Sequence, residues 1–169
     1  SLRASINQTQ VGTLQEVAGL WSFQYAADWL GNPQCFALSP HLPLTAEFLL
    51  DGASKRPVQW YFDNLLPEEG QRVLLAGDAK LDAADAFGLL AWYGAESAGS
   101  VTLLPPDVAP QAAEPLRPLP DDALETRIRQ LPKAPLTHAA IKRMSLAGAQ
   151  HKLAVVLQNS ALFEPAGAT

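Results

Sequence analysis

Prolines crowd one short stretch of this chain, and they limit what the chain can fold into. Six fall within sixteen residues: Pro105, Pro106, Pro110, Pro115, Pro118 and Pro120. Proline fixes φ near about −65° and has no backbone N–H, so a stretch this rich in it excludes a helix. We therefore predict a stiff, extended connector over residues 105–120. It separates a first domain, residues 1–104, from a second region, residues 121–169.

The charges change near the same place. The chain has 12 Lys/Arg and 17 Asp/Glu, for a net charge of −5. Residues 1–125 hold six basic and sixteen acidic side chains, net −10, and residues 126–169 hold six basic and one acidic, net +5. Two interpretations stay open: the basic end binds a polyanion, or it docks against the acidic domain.

Composition favours a cytoplasmic protein. No apolar stretch reaches the roughly 18 residues of a membrane span, and the N-terminus lacks the apolar segment of a secretory signal. Cys35 is the only cysteine, so no internal disulfide can form, and we expect it as a small buried thiol in a reducing compartment. His41, His138 and His151 lack the spacing of metal ligands, so we predict no metal site.

The first domain is predicted to combine a β-meander with helices. Apolar and polar residues alternate, and three strands are predicted. The first contains Leu2, Ala4 and Ile6, and a turn at 7–10 leads to the second, Val11 to Leu14. The third contains Trp21, Phe23 and Tyr25. Helices are expected to begin at Pro57 and Pro67, and a third is capped by Asp82 or Asp85 and ended by Gly94. A strand over 99–104 closes the domain, and the aromatic residues are expected in the core.

The second region is predicted to contain a helix, a small-residue loop and a strand. Asp121 and Asp122 suit the start of a helix that runs through Leu131, where Pro132 stops it. The run Leu153–Leu157 is typical of a strand. Strands and helices segregated in this way give an α+β fold class.

The loop before that strand has the composition of a phosphate-binding site. Ala147, Gly148 and Ala149 carry nothing larger than a methyl group, so backbone N–H groups can approach an anion closely. Ser145 opens the loop and Lys152 closes it, and a strand follows, as in the glycine-rich loops of kinases. We predict that nucleotide phosphates are bound by Ala147, Gly148, Ala149, Gln150, His151 and Lys152. The alternative is a tight connection into a strand.

Ser145 is better suited to accept a phosphoryl group than to act as a nucleophile. No Asp or Glu lies between Glu125 and Glu164, so no local base is available to activate its hydroxyl. A hydrolytic pair of Ser145 and His151 is disfavoured because no orienting carboxylate lies nearby. Phosphorylation would add about −2 charge and compete for the donors that hold nucleotide phosphate.

The sequence resembles the N-terminal part of HipA-type serine/threonine kinases, the toxins of bacterial type II toxin–antitoxin pairs. Two stretches are specific in combination: Asn64–Pro67, which reads Asn-Leu-Leu-Pro, and Ser145–Lys152, which reads Ser-x-Ala-Gly-Ala-Gln-x-Lys. Further matching stretches run along most of the chain: Val11–Leu14, Phe23–Tyr25, Trp29–Leu30, Leu38–Ser39, Leu42–Leu44, Phe87–Leu90 and Gly99–Leu103.

The resemblance implies a β-rich N-terminal subdomain joined to the small lobe of a kinase-like fold. In the family, the loop matching Ala147–Lys152 binds ATP phosphates, and autophosphorylation of the serine matching Ser145 switches the kinase off. The family's kinases use ATP and Mg²⁺, phosphorylate a glutamate–tRNA ligase, and produce dormant, persistent cells. A small helix-turn-helix antitoxin (HipB-like) binds these kinases. The antitoxin also binds DNA and so links the kinase to DNA.

The resemblance also defines what this chain lacks. The family's phosphate-binding lysine follows the stretch matching Glu164–Thr169, and its catalytic and magnesium-binding aspartates lie further on. We therefore expect no catalytic residue and no firmly held cofactor in this chain, which would act together with the remaining C-terminal kinase region. The alternative function is a non-catalytic regulatory module, a split HipA N-terminal subdomain that acts as an antitoxin on a partner kinase. A generic α+β domain with a coincidental loop is the third option.

Overall fold

A computed structural model of the chain describes residues 1–96, 100–109, 114–130, 153 and 155–166. Within those residues the chain forms five α-helices and eight strands, arranged in two antiparallel sheets. The predicted α+β class is confirmed. No helix in this part of the chain has the length and apolar character that crossing a bilayer requires.

The first sheet has five strands in the order β4-β3-β2-β1-β5. They are β1 (Leu2–Ile6), β2 (Thr9–Val17), β3 (Leu20–Tyr25), β4 (Leu49–Leu50) and β5 (Val101–Leu104). The predicted meander is confirmed, with a shorter first turn, because β2 already begins at Thr9. The two turn residues, Asn7 and Gln8, have φ of 48° and 67°, the left-handed conformation that two-residue hairpins use.

Only glycine fits at position 12 of β2, because the ring of Phe23 lies directly against the backbone there. A Cβ at this position would lie 2.3 Å from the carbonyl oxygen of Gln24 and 2.5 Å from Cζ of Phe23. Gly12 pairs with Tyr25 in the β2–β3 register, so the absent side chain makes room for the Phe23 ring beneath the sheet. Any larger residue would displace backbone as well as the ring.

Four helices accompany this sheet: α1 (Ala27–Leu30), α2 (Pro57–Asp63), α3 (Glu69–Ala79) and α4 (Ala86–Tyr93). Helices α1, α2 and α4 contact its strands, and α3 contacts α4. The predicted start of α2 at Pro57 is confirmed, whereas α3 begins two residues after the expected Pro67. Asp85, not Asp82, caps α4: its Oδ1 accepts the N–H of Gly88 at 2.8 Å. Gly94 follows the last residue of α4, as predicted.

The core lies between the inward face of the strands and the helices. Phe23 on β3 contacts Phe62 on α2 with ring centroids 5.3 Å apart, and Trp21 meets Phe87 of α4 edge-on at the same distance. The expectation that the aromatic residues fill the core is wrong for four of them, which are 45–56% exposed: Phe36, Phe48, Trp60 and Trp92. Cys35 is half-buried rather than fully buried, packed at the edge of this core.

The long connection from α1 to β4 is tied to the sheet by one tyrosine. The hydroxyl of Tyr25 donates to the carbonyl oxygen of Leu42 at 2.6 Å and accepts the N–H of Leu38 at 2.9 Å. Leu42 is fully buried, and it forms an isolated bridge with Ser39. Pro40 and Pro43, on either side of Leu42, therefore border a turn that is held against the core.

The second sheet has three strands in the order β6-β8-β7. They are β6 (Glu114–Pro118), β7 (Val156–Gln158) and β8 (Ala161–Ala166), and helix α5 (Asp121–Gln130) lies between β6 and β7 in sequence. The predicted strand Leu153–Leu157 is displaced, because β7 begins at Val156 and ends at Gln158. Strand β6 lies inside the predicted connector 105–120, extended as expected and hydrogen-bonded to β8. The division at residues 104 and 121 stays a prediction.

Candidate nucleotide-binding site

The residues predicted to bind nucleotide phosphate lie outside the described residues. They are Ala147, Gly148, Ala149, Gln150, His151 and Lys152, together with Ser145. The structure describes the elements on both sides of them in the chain: α5 before, and the β7–β8 hairpin after.

The β7–β8 hairpin fixes where the chain re-enters the sheet after the predicted loop. Its two turn residues, Asn159 and Ser160, have φ of 50° and 62°, again the left-handed pair of a two-residue hairpin. This turn sets the register in which Leu157 pairs with Leu162 and Val156 with Phe163. The first residue of β7 is thus held opposite Phe163.

Strand β8 is central in the sheet, and its other neighbour leads into α5. Arg117 of β6 pairs with Glu164, and the N–H of Leu119 donates to the carbonyl oxygen of Leu162 at 2.8 Å. The buried Leu119 is followed directly by Pro120 and the start of α5. Asp121 and Asp122 occupy the first turn of that helix, where their negative charge interacts favourably with the positive end of the helix dipole.

An ion pair joins α5 to β8. Nη1 of Arg127 lies 2.7 Å from Oε1 of Glu164, and Nη2 donates to Oε2 at 3.0 Å, so the guanidinium and the carboxylate meet as a two-pronged fork. Glu164 is 8% exposed. A charge removed from water this far is tolerated only when it is paired and hydrogen-bonded. The pair therefore links α5 to β8.

A second ion pair on α5 faces solvent. Arg129 and Glu125 stand one turn apart, with side chains 75% and 63% exposed, in the range where such pairs contribute little to stability. Both described arginines of the basic end therefore pair with carboxylates of the second region. Neither ion pair supports docking of the basic end against the acidic first domain, and Lys133, Lys142, Arg143 and Lys152 lie outside the described residues.

Within the part of the chain that the structure describes, no group of three or more His, Cys, Asp or Glu side chains could hold a metal ion. His41 lies on an exposed turn, and His138 and His151 fall outside the described residues.

The Arg127–Glu164 pair is the feature that sequence reasoning missed. One signal was available, because Glu164 is the only acidic residue among six basic ones between 126 and 169. An isolated acid in a basic segment is a candidate for pairing. Which base it would meet could not be predicted, because β8 itself was not predicted and the partners are 37 residues apart.

Comparisons with known proteins agree with this fold. Residues 2–104 match the family described as the HipA N-terminal domain. A protein of Sinorhizobium fredii (strain NBRC 101917 / NGR234) named "Putative kinase Y4mE" is 38% identical over 157 residues, which are 89% of this chain and 36% of that protein. A chain in the solved complex of HipA, HipB and operator DNA from Shewanella oneidensis MR-1 superposes with a TM-score of 0.72, at 24% identity, over 99% of this chain and 38% of that chain.

The three matches differ in what they establish. The structural likeness, at 24% identity, shows the fold alone, and this chain spans less than two-fifths of the length of either relative. The family match, by contrast, covers more than half of the 169 residues. This chain therefore belongs to the HipA N-terminal domain family.

Proposed function

We propose that this chain is the N-terminal portion of a HipA-like serine/threonine kinase toxin, and that Ala147–Lys152 bind the phosphates of ATP. The observation that carries the proposal is the order of elements in the second region. The small-residue loop is followed in the chain by β7, a strand of an antiparallel sheet, the order found in kinase glycine-rich loops. A Walker loop leads into a helix instead.

The proposed roles follow from the chemistry of the loop residues. Backbone N–H groups of Ala147, Gly148 and Ala149 donate to phosphate oxygens, and the Lys152 ammonium supplies a compact positive charge. Magnesium, where it is bound, neutralises charge on the phosphates. Transfer also needs a base and metal ligands, which we assign to the C-terminal region of the full-length protein.

Ser145 is the proposed regulatory residue. A phosphoryl group there adds about −2 charge at the mouth of the loop, two residues after Arg143 and three after Lys142. It would compete with nucleotide phosphate for the same donors and would switch the kinase off. Autophosphorylation is therefore expected to lower nucleotide affinity.

The proposed partners are a HipB-like helix-turn-helix antitoxin and, through it, operator DNA. Support comes from the Shewanella complex, in which the matching chain is assembled with HipB and DNA. A glutamate–tRNA ligase is the proposed protein substrate, following the family resemblance. These assignments apply to the full-length protein.

Nuclear magnetic resonance tests the nucleotide site directly in the 169-residue chain. Adding Mg-ATP is expected to move the backbone amide signals of Ala147–Lys152 with a weak dissociation constant, because the phosphate-binding lysine and metal ligands of the family are absent. Lys152→Ala is expected to weaken this response, whereas Lys133→Ala, which removes an equal charge outside the loop, leaves it unchanged. Signals that move only elsewhere, or do not move, would contradict the proposal.

The alternative is a non-catalytic regulator that binds a partner kinase. The family match itself favours it, since it ends at residue 104 and covers a domain with its own core. The gene discriminates between the two. A reading frame that continues past Thr169 into kinase sequence supports the kinase, and a stop codon followed by a separate kinase gene supports the regulator.

A further inference from the structure

We propose that the peptide bond between Asp51 and Gly52 is a site of spontaneous aspartate isomerisation, which the folded first domain blocks and which becomes reactive when α2 separates from the sheet. The proposal concerns a modification of the chain itself and does not depend on the proposed function. The dipeptide Asp-Gly occurs once in the 169 residues, and Asn-Gly does not occur. Because glycine has no side chain to shield its backbone nitrogen, Asp-Gly is the aspartyl sequence at which this reaction is fastest.

The reaction needs no enzyme and no co-reactant other than water. The backbone nitrogen of Gly52 forms a bond to Cγ of Asp51, after the carboxylate has taken a proton from solvent. One carboxyl oxygen leaves as water and carries away the amide proton, and a cyclic succinimide remains. Water then opens the ring. Attack at the Cγ carbonyl restores aspartate, and attack at the main-chain carbonyl gives isoaspartate, with the mass of the chain unchanged.

Both reacting groups are engaged elsewhere in the folded domain. The two carboxylate oxygens of Asp51 accept the N–H of Val58 at 2.8 Å and of Gln59 at 2.9 Å. The N–H of Gly52 donates to the carbonyl oxygen of Lys55 at 2.9 Å. Ring closure brings the Gly52 nitrogen onto Cγ of Asp51, so these hydrogen bonds must break first. Asp51 is 2% exposed, so solvent does not replace them while α2 is in place.

The fold itself does not require glycine at position 52. Its φ lies outside the left-handed region, unlike that of Gly19. A Cβ at position 52 would lie 3.6 Å from the carbonyl oxygen of Lys55, an ordinary van der Waals contact. Gly52→Ala therefore keeps the fold while shielding the nitrogen that closes the ring.

Isomerisation would damage a junction of three elements. The N–H of Asp51 donates to the carbonyl oxygen of Trp21 at 2.9 Å, directly after β4, and its carboxylate caps α2. Isoaspartate adds one carbon to the main chain between positions 51 and 52 and moves the carboxylate onto the Cα atom. The strand contact and the cap can then no longer be made with the same geometry. A modified chain is therefore expected to fold less stably.

The test follows isoaspartate at position 51 by electron-transfer fragmentation in a mass spectrometer. The 169-residue chain is incubated in buffer and in guanidinium chloride at the same pH and temperature. We expect formation in buffer to be at least about a hundredfold slower, because the reaction proceeds only in the small open fraction of folded molecules. Phe62→Ala removes the ring that contacts Phe23 on β3, and it should raise the rate in buffer about tenfold or more.

Two glycine variants are the matched controls. In guanidinium chloride, Gly52→Ala should lower the rate of isoaspartate formation at position 51 about tenfold or more, because its methyl group hinders the nitrogen. Gly77→Ala, at a helical position where a Cβ meets no atom within 4 Å, should leave that rate unchanged. The modified chains are then refolded and their denaturant midpoint is measured, which is expected to lie below that of the unmodified chain.

Each part of the proposal has an outcome that overturns it. Equal rates in buffer and in guanidinium chloride would show that the fold gives no protection. Absence of isoaspartate at position 51 in guanidinium chloride would show that this is not the site. A rate unchanged by Phe62→Ala would exclude separation of α2 as the opening step, and an unchanged midpoint would exclude the structural damage. Should Phe62→Ala not fold, Val58→Ala, which truncates a second buried side chain of α2, takes its place.

Discussion

The carboxylate of Asp51 caps helix α2 from outside the helix, accepting the backbone N–H of Val58 at 2.8 Å. Its second oxygen accepts the N–H of Gln59 at 2.9 Å. The residue at the usual capping position, Arg56, makes no side-chain cap, and Pro57 has no N–H to satisfy. Asp51 is 2% exposed, so its carboxylate is held away from water; the hydrogen bond to Val58 is buried and the one to Gln59 is partly buried.

Removing this cap is expected to destabilise the first domain. Asp51→Ala leaves two backbone donors of α2 without an acceptor, one of them buried, and we expect the free energy of unfolding to fall by about 1–3 kcal/mol. Asp85→Ala, which removes the more exposed cap of α4, is the control and should cost about 1 kcal/mol or less. Urea denaturation measures both. If the two variants lost equal free energy of unfolding, the burial of Asp51 would make no extra contribution to stability.

The three tyrosines predict how stability changes at alkaline pH. Burial raises the pKa of Tyr93, and its hydrogen bond to Asp78 and the charge of that residue raise it further. Burial also raises the pKa of Tyr25 and Tyr61. The folded state therefore retains protons that the unfolded chain releases near about pH 10, so stability is full below that pH and declines above it.

This alkaline decline has a measurable signature. The free energy of unfolding should fall above about pH 10 by up to about 1.4 kcal/mol per pH unit for each tyrosine that stays protonated. Tyrosinate absorbance should rise together with unfolding rather than before it. Tyr93→Phe should reduce the slope of the free energy of unfolding against pH. It should also lower stability near neutral pH by about 1 kcal/mol, because the hydrogen bond of the Tyr93 hydroxyl to the Leu75 carbonyl oxygen or to Asp78 is lost. Absorbance that rises at about pH 10 in folded protein would contradict this.

Gly77 lies in α3 where a side chain meets nothing. A Cβ there would have no atom within 4 Å, so Gly77→Ala should raise the free energy of unfolding by about 0.5–1 kcal/mol through higher helix propensity. Gly94→Ala is the matched control, because its Cβ would lie 2.6 Å from Cβ of Leu103 and should destabilise. Thermal melts of both variants test the contrast, and a loss of stability in Gly77→Ala would refute it.

Phe62 should dominate the contact between α2 and the sheet. It is fully buried against Phe23, so Phe62→Ala should lower the free energy of unfolding by about 3–5 kcal/mol. Trp60, on the same helix and 56% exposed, is the control. Trp60→Ala should lower the free energy of unfolding by much less than Phe62→Ala does. Denaturant midpoints compare the two. Similar losses would mean that α2 is held by something other than its inner face.

Local patterns predicted the first domain well where elements were long enough to show a period. Strands β1 to β3 alternate over five residues or more, and α2 and α4 carry their own start and stop signals in Pro57, Asp85 and Gly94. Helix α1 has four residues and β4 has two, too few for any period to register. Those two exist because the sheet and the core hold them.

The second region shows where local reasoning fails. Strand β8 contains Glu164 and Pro165, residues that count against a strand when read in isolation. It forms because β6 and β7 pair with it on both sides. The chemistry of the candidate loop could be inferred from small residues and flanking charge, but the Arg127–Glu164 pair depends on which elements meet, and spacing along the chain does not contain that information.

The pairing of the first and last strands of the first domain has a practical consequence. Because Arg3 of β1 lies opposite Leu104 of β5, the two ends of the family-matched segment stand side by side in one sheet. A short linker could join them, and new termini could be opened at the exposed hairpin tip of Ala18 and Gly19 without breaking a ladder. The domain is in this sense a closed module, suited to circular permutation or to insertion as a unit into another protein.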